Sequence, residues 1–222
     1  MTDKIDFKKA LDSYRAPRDK FRIVDVPDMQ YLMIDGHGDP NTSPTYAEAL
    51  ASLYPVAYKL KFISKRELER DYVVPPLEGL WWAEDMDAFT VSRDKSQWDW
   101  TMMLMVPDWI GRASFLSAVD RAGAKNSPMR LDDVRLETLS EGRCVQTLHL
   151  GSFDDEGPVL DRMHREFIPQ NGLRVDGKHH EVYFSDFRKV TPDKLRTILR
   201  QPVLASSATE IPHCRRSHSL QA

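Results

Sequence analysis

Two stretches decide how this sequence folds: LMIDGHGD at residues 32–39 and LHLGSFDD at residues 148–155. Each leaves an apolar, strand-like segment through a glycine and reaches an aspartate ahead of a proline that can open a helix, Pro44 in one case and Pro158 in the other. Outward from the first, residues 30–35 (QYLMID) read as a strand and GHGDPN at 36–41 as a turn, with Thr42 or Ser43 as a helix cap. Tyr46, Leu50, Leu53, Ala57 and Leu60 then recur at helical spacing, and Pro55 inside that pattern is expected to kink or split the helix. Residues 77–82 (LEGLWW) read as an extended segment behind Pro75 and Pro76. Residues 85–95 read as a polar connection, and 97–106 (QWDWTMMLMV) as the strongest strand. A helix is expected over 107–125, then a loop at 126–128.

Outward from the second stretch, residues 130–139 and 143–150 read as a hairpin turned by Glu141 and Gly142. A helix opens at Pro158 and ends before Gly172. Residues 180–185 (HEVYFS) read as a strand and 192–200 as a short final helix. The repeated order makes two βαββ-like halves, about 20–106 and 130–200, joined edge to edge in an α+β domain spanning 1–204. Residues 205–222 lack periodicity and are expected to form a disordered tail.

Composition narrows the function. The net charge of −3 over 222 residues offers no long-range attraction for nucleic acid. No stretch approaches the ~20 apolar residues of a membrane span, and residues 1–9 lack the apolar run of a signal peptide. Two cysteines, Cys144 and Cys214, fit a reducing compartment, so a cytoplasmic location is expected. GHGDPN lacks the Lys-Ser/Thr ending of a phosphate loop. His179 and His180 are adjacent in a strand, point to opposite faces, and cannot share a metal. No metal or cofactor is expected.

What stands out is carboxylates set among large aromatics. Period-two spacing puts Glu78 with Trp82 on one strand face and Glu181 with Tyr183 on another, and WDW adds Trp98 and Trp100. A carboxylate ringed by aromatic faces suits a flat, cationic or polarisable ligand, and a desolvated one can act as a base.

The segments QYLMIDGHGDPN, LYPVAYKLKF, DYVVPPLEGLWW, WDWTMMLMVPDW, DEGP, GKHHEVYFSDFRK and PDKLRTILRQPV together resemble the GyrI-like family. Within it they are most similar to the free-standing members that include cyclopropanoid cyclopropyl hydrolases. The resemblance runs from about residue 1 to Leu204. It implies one antiparallel sheet built from two βαββ repeats, helices on one face, and a ligand groove between the repeats. It implies binding of drug-like, often cationic molecules over a glutamate on the final repeat strand, a position that Glu181 matches. The free-standing group adds an aromatic cage and hydrolysis of the strained cyclopropane of DNA-alkylating natural products; Glu78, Trp82 and Trp100 match its motifs. The expected catalytic pair is therefore Glu78 and Glu181, with Trp82, Trp100, Tyr183, Tyr46 and Trp109 binding substrate. A non-catalytic drug-sequestering or sensing module is the alternative. Expected partners are flat aromatic or cationic small molecules, with homodimerisation left open and no nucleic acid or membrane. Phe187 in SDFRKV stands where the resemblance leads one to expect proline.

Overall fold

The computed structural model describes residues 3–84, 94–124 and 128–206. Most of the expected polar connection, at 85–93, and the loop residues 125–127 lie outside the described residues, as does 207–222 with Cys214. Nine strands occur among the described residues: β1 (Arg22–Val26), β2 (Met29–His37), β3 (Leu77–Trp82), β4 (Asp99–Val106), β5 (Arg135–Leu139), β6 (Gly142–Leu150), β7 (Leu173–Val175), β8 (His179–Tyr183) and β9 (Arg196–Ala205). The helices are α1 (Phe7–Ala10), α2 (Pro44–Glu67), α3 (Arg112–Gly123) and α4 (Gly157–Arg162). The last continues through a π-turn, Met163–Phe167, into Ile168–Gln170.

All ladders are antiparallel, in the order β1-β6-β9-β8-β3-β4-β2-β5, with β7 beside the end of β9. Read from the β3–β8 seam, the two sides match: β4 and β9 next, then β2 and β6, then β5 and β1. With the short β7 set aside, each half is thus ββαββ, one strand longer than the sequence suggests, and the leading strand of each half crosses to the other half. This corrects the expected hairpin. β5 and β6 do not pair with each other, because β5 completes β2 while β6 lies between β1 and β9.

The crossing also sets the shape. β1 and β2 are six strand spacings apart, roughly 29 Å in a flat sheet, yet two residues join them, a reach of roughly 10 Å. The sheet must curl to bring its ends together. Accordingly Val24, Val26 and Cys144 of β1 and β6 share one buried cluster with Tyr31, Met33, Met103 and Met105 of β2 and β4.

Helices α2 and α3 pack on the other face over Leu32, Ile34, Trp100, Met102 and Leu104. α4 covers Val145, Leu199 and Val203 on that same face through Met163 and Ile168. α2 buries Tyr46, Leu50, Leu53, Ala57 and Leu60, the stripe read from sequence. It runs 24 residues through Pro55 without splitting. That proline is only half-buried, on the outward side, so the missing N–H costs one bond and no core contact. Two further expectations change. α3 starts at Arg112, after a Pro107–Ile110 turn. Residues 196–205 form a strand where a helix was expected: apolar Ile198 and Leu199 are buried on opposite faces, so their spacing carries no helical face.

Candidate functional site

The seam between the halves is where side chains from both repeats meet. In the β3–β8 register Leu77 faces Tyr183, Gly79 faces Glu181 and Trp81 faces His179. Gly79 lets this face close up: a Cβ there would lie 2.8 Å from Trp81 Nε1 and 3.1 Å from the Tyr183 hydroxyl. Over the bare glycine, Trp81 Nε1–H donates to the Tyr183 hydroxyl at 2.8 Å, and that hydroxyl donates to Glu181 Oε2 at 2.7 Å. The other carboxylate oxygen lies 3.4 Å from His179 Nε2.

Above this chain opens a narrow cleft with about 90 Å³ of free room, or about 770 Å³ when its open mouth and all space between its walls are counted. Its walls are the starts of both repeat helices with the loops that lead into them: Pro40, Asn41 and Tyr46 on one side, Phe153, Glu156 and Leu160 on the other. Lys95, Trp98 and Phe187 complete it. Tyr46 stacks on Trp81 at 6.4 Å, and Trp81 meets Trp98 edge-on at 5.8 Å. Phe153 meets Tyr183 edge-on at 5.6 Å. At the rim Lys95 pairs with Asp154 at 2.7 Å, tying one half to the other. The cleft therefore presents aromatic faces with the carboxyl groups of Glu156 and Glu181, both nearly fully buried, and one already-paired lysine. Burial, reinforced by Glu181, pushes the Tyr183 phenol well above its ordinary range, and burial does the same for Tyr46. Both hydroxyls stay protonated and remain donors.

The structure divides the residues singled out from sequence. Glu181, Tyr183 and Tyr46 come together in the cleft. Glu78 and Trp82 do not, because residues of β3 alternate and these two point to the opposite face. There Glu78 is fully buried and accepts from the hydroxyls of Tyr14 at 2.5 Å and Tyr31 at 3.3 Å, with His180 Nε2 at 2.9 Å. Trp82 lies under the Lys178 ammonium, 3.2 Å from its ring centroid. Trp100 is on the cleft side but beneath it, fully buried with its ring packed on Gly36 and its Nε1–H given to the Gly38 carbonyl. Trp109 packs with Phe7 and Tyr72, donates to Ser64 Oγ and lies under Arg70, away from the cleft. The expectation of Glu78 and Glu181 as a catalytic pair at one site is corrected accordingly, since the two lie on opposite faces of the sheet. Sequence reasoning missed Trp81, Phe153 and Glu156 as cleft residues. Gly79, a glycine inside a strand, was the available signal for the first. Among the described residues no group of three or more His, Cys, Asp or Glu side chains is arranged to hold a metal ion. Nor is any helix there long and apolar enough to cross a membrane.

An uncharacterised conserved protein from Listeria innocua is 40% identical to this chain and superposes with a TM-score of 0.82, covering 90% of this chain and all of its own. Two proteins from the same organism named as hydrolases are 38% and 39% identical, with TM-scores of 0.79 and 0.81. They cover 90% and 91% of this chain and all of their own. The C-terminal domain of EcmrR, at 10% identity and a TM-score of 0.52 over 84% of this chain and 98% of its own, shares the fold. No curated protein matches. The family of GyrI-like small molecule binding domains matches over residues 19–204, and the chain belongs to it.

Proposed function

We propose that the chain binds flat, aromatic or cationic small molecules in the cleft above Glu181 and hydrolyses the cyclopropane ring of cyclopropanoid DNA-alkylating agents, protecting the cell that makes it. The observation that carries this reading is the chain from Trp81 through the Tyr183 hydroxyl to Glu181, set in an aromatic cleft on the repeat seam. Aromatic walls stack on a flat ligand, and buried carboxylates complement positive or developing positive charge. Glu181 takes a proton from a water that attacks the ring methylene. The carbon–carbon bond of the cyclopropane breaks and its electron pair forms a phenolate; once Glu181 holds the water's proton it can donate to the Tyr183 oxygen, which frees the Tyr183 O–H to donate to the phenolate. Release of ring strain drives the step, so the protein has to position water and hold the ligand away from DNA. The Listeria relatives named as hydrolases support an enzymatic reading.

The family description as small-molecule binding favours a second reading, sequestration without turnover. One experiment separates them. The full chain is incubated with a cyclopropane-bearing alkylator and the products are weighed by mass spectrometry. Hydrolysis yields the ring-opened water adduct at a rate that falls ~10²-fold or more in Glu181→Gln, the scale of lost general-base catalysis. Protected but unchanged alkylator means binding alone.

A further inference from the structure

Phe187, in a place where proline was expected, stands where three depressions of the surface meet. It lines the Glu181 cleft, the open groove along α2 walled by Tyr54, Pro55 and Tyr58, and the hollow between Pro75, Pro76 and Ser185. Pro40, Asn41 and Tyr46 line both the cleft and the groove, as Phe187 does, so the two adjoin. The groove carries aromatic surface of its own, with Tyr54 half-buried and Tyr58 exposed. Pro55, which brings no N–H to the Ala51 carbonyl, lines it together with Ala51.

The turn that presents Phe187 is built independently of its side chain. Asp186 accepts the Arg188 N–H on its carboxylate at 3.1 Å, and the Lys189 and Val190 N–H groups on its carbonyl at 2.9 and 3.1 Å. The Arg188 guanidinium braces the same carboxylate at 2.8 and 3.0 Å and holds it well below the usual range. None of these bonds uses the Phe187 N–H, so a proline there would remove none of them. The ring itself is 42% exposed and touches the cleft wall edge-on at Phe153, 6.4 Å away.

We propose that Phe187 is a specificity-determining residue of this chain, clamping flat ligands that run from the cleft past Tyr46 into the groove along α2. The inference rests on the small-molecule reading above and adds the ligand's shape: two or more flat units in line, the inner against Trp81 and Tyr183, the outer against Phe187 and Tyr54. The test is a tryptophan-fluorescence titration of the full chain with two probes. N-methylquinolinium is one flat cationic unit; a bis-benzimidazole dye with a cationic end places two flat units in line. The quantity read is the ratio of the two affinities in wild type, Phe187→Ala, Phe187→Pro and Phe187→Trp. The dye's advantage falls about tenfold in the Ala and Pro variants, the size of one lost aromatic pair, and survives in Trp. A ratio that stays within twofold of wild type in all three variants overturns the inference and leaves the small-molecule reading standing. A wild-type chain that binds neither probe overturns both. Should Phe187→Ala melt early, the Pro and Trp variants decide on the same terms.

Discussion

At the scale of single residues, one absent side chain shapes the cleft. Gly79→Ala would put a methyl group 2.8 Å from Trp81 Nε1, forcing Trp81 and Tyr183 apart while leaving the β3 ladder intact. Affinity for a flat cation should fall about tenfold, with a melting cost of ~1–3 kcal/mol for overpacking; titration and thermal melting of the same variant check both. Tyr183→Phe keeps the ring but removes the hydroxyl between Trp81 and Glu181. Binding should change little, whereas turnover falls ~10²-fold or more, and a variant with unchanged turnover would remove Tyr183 from the chemistry. Period-two spacing made Glu181 and Tyr183 legible as partners. The same rule grouped Glu78 with Trp82 correctly on one face, but nothing in LEGLWW says which face. Five of the six residues are buried, so there is no polar side to orient the strand. Choosing between adjacent Trp81 and Trp82 requires the register with β8, which the sequence does not carry.

At the scale of elements, the N-terminal segment is held to the sheet by buried charge. Beneath it, His180 lies between Glu78 at 2.9 Å and Glu141 at 2.8 Å. Arg200 reaches Glu141 at 2.9 Å and the Ser13 carbonyl at 2.7 Å, and Tyr14 caps Glu78. Burial alone would raise the Glu141 carboxyl, but His180 and Arg200 outweigh it and bring it to about 2. Burial likewise opposes the charge on His180, and Glu141 and the Glu78 hydrogen bond hold its imidazole above the ordinary value. The two groups therefore act in different windows. Glu141 stabilises fully above its ordinary 4.5, and that contribution is lost as pH falls toward about 2. His180 stabilises fully below its ordinary 6.5, and its share is lost as pH rises through its raised folded value. Thermal melts of wild type should therefore drop between pH 4.5 and 2 and soften above pH 6.5. Glu141→Gln should cost ~3–5 kcal/mol at neutral pH, as expected for breaking a buried pair, and should flatten the acid limb. A variant with the wild-type acid limb would show that Glu141 is not its source. None of this was readable in advance. Glu141 and Gly142 look like a hairpin turn, and Gly142 does take a left-handed φ of 62°, yet the strands it joins pair not with each other but with β2 on one side and with β1 and β9 on the other. β9 was hidden for a related reason: a strand buried on both faces has no alternation to distinguish it from a short helix.

At the scale of the whole molecule, the repeat that was faintly legible in LMIDGHGD and LHLGSFDD proves to be the organising symmetry. It puts a helix start from each half beside the β3–β8 seam and thereby makes one cleft from two halves. What the repeat could not convey is the exchange of leading strands, which curls the sheet and gives it two unlike faces. One face holds the cleft with Glu181; the other holds Glu78 in a sealed network. The central claim is that the working carboxylate is Glu181 and that Glu78 is structural. The direct measurement is a titration of N-methylquinolinium by tryptophan fluorescence, paired with a thermal melt, on Glu181→Gln and Glu78→Gln. The account predicts that Glu181→Gln weakens binding about tenfold, ~1.4 kcal/mol, with a small change in melting temperature. It predicts that Glu78→Gln melts markedly lower, with affinity near wild type at temperatures where it remains folded. The reverse pattern, with binding lost in Glu78→Gln and kept in Glu181→Gln, would contradict it.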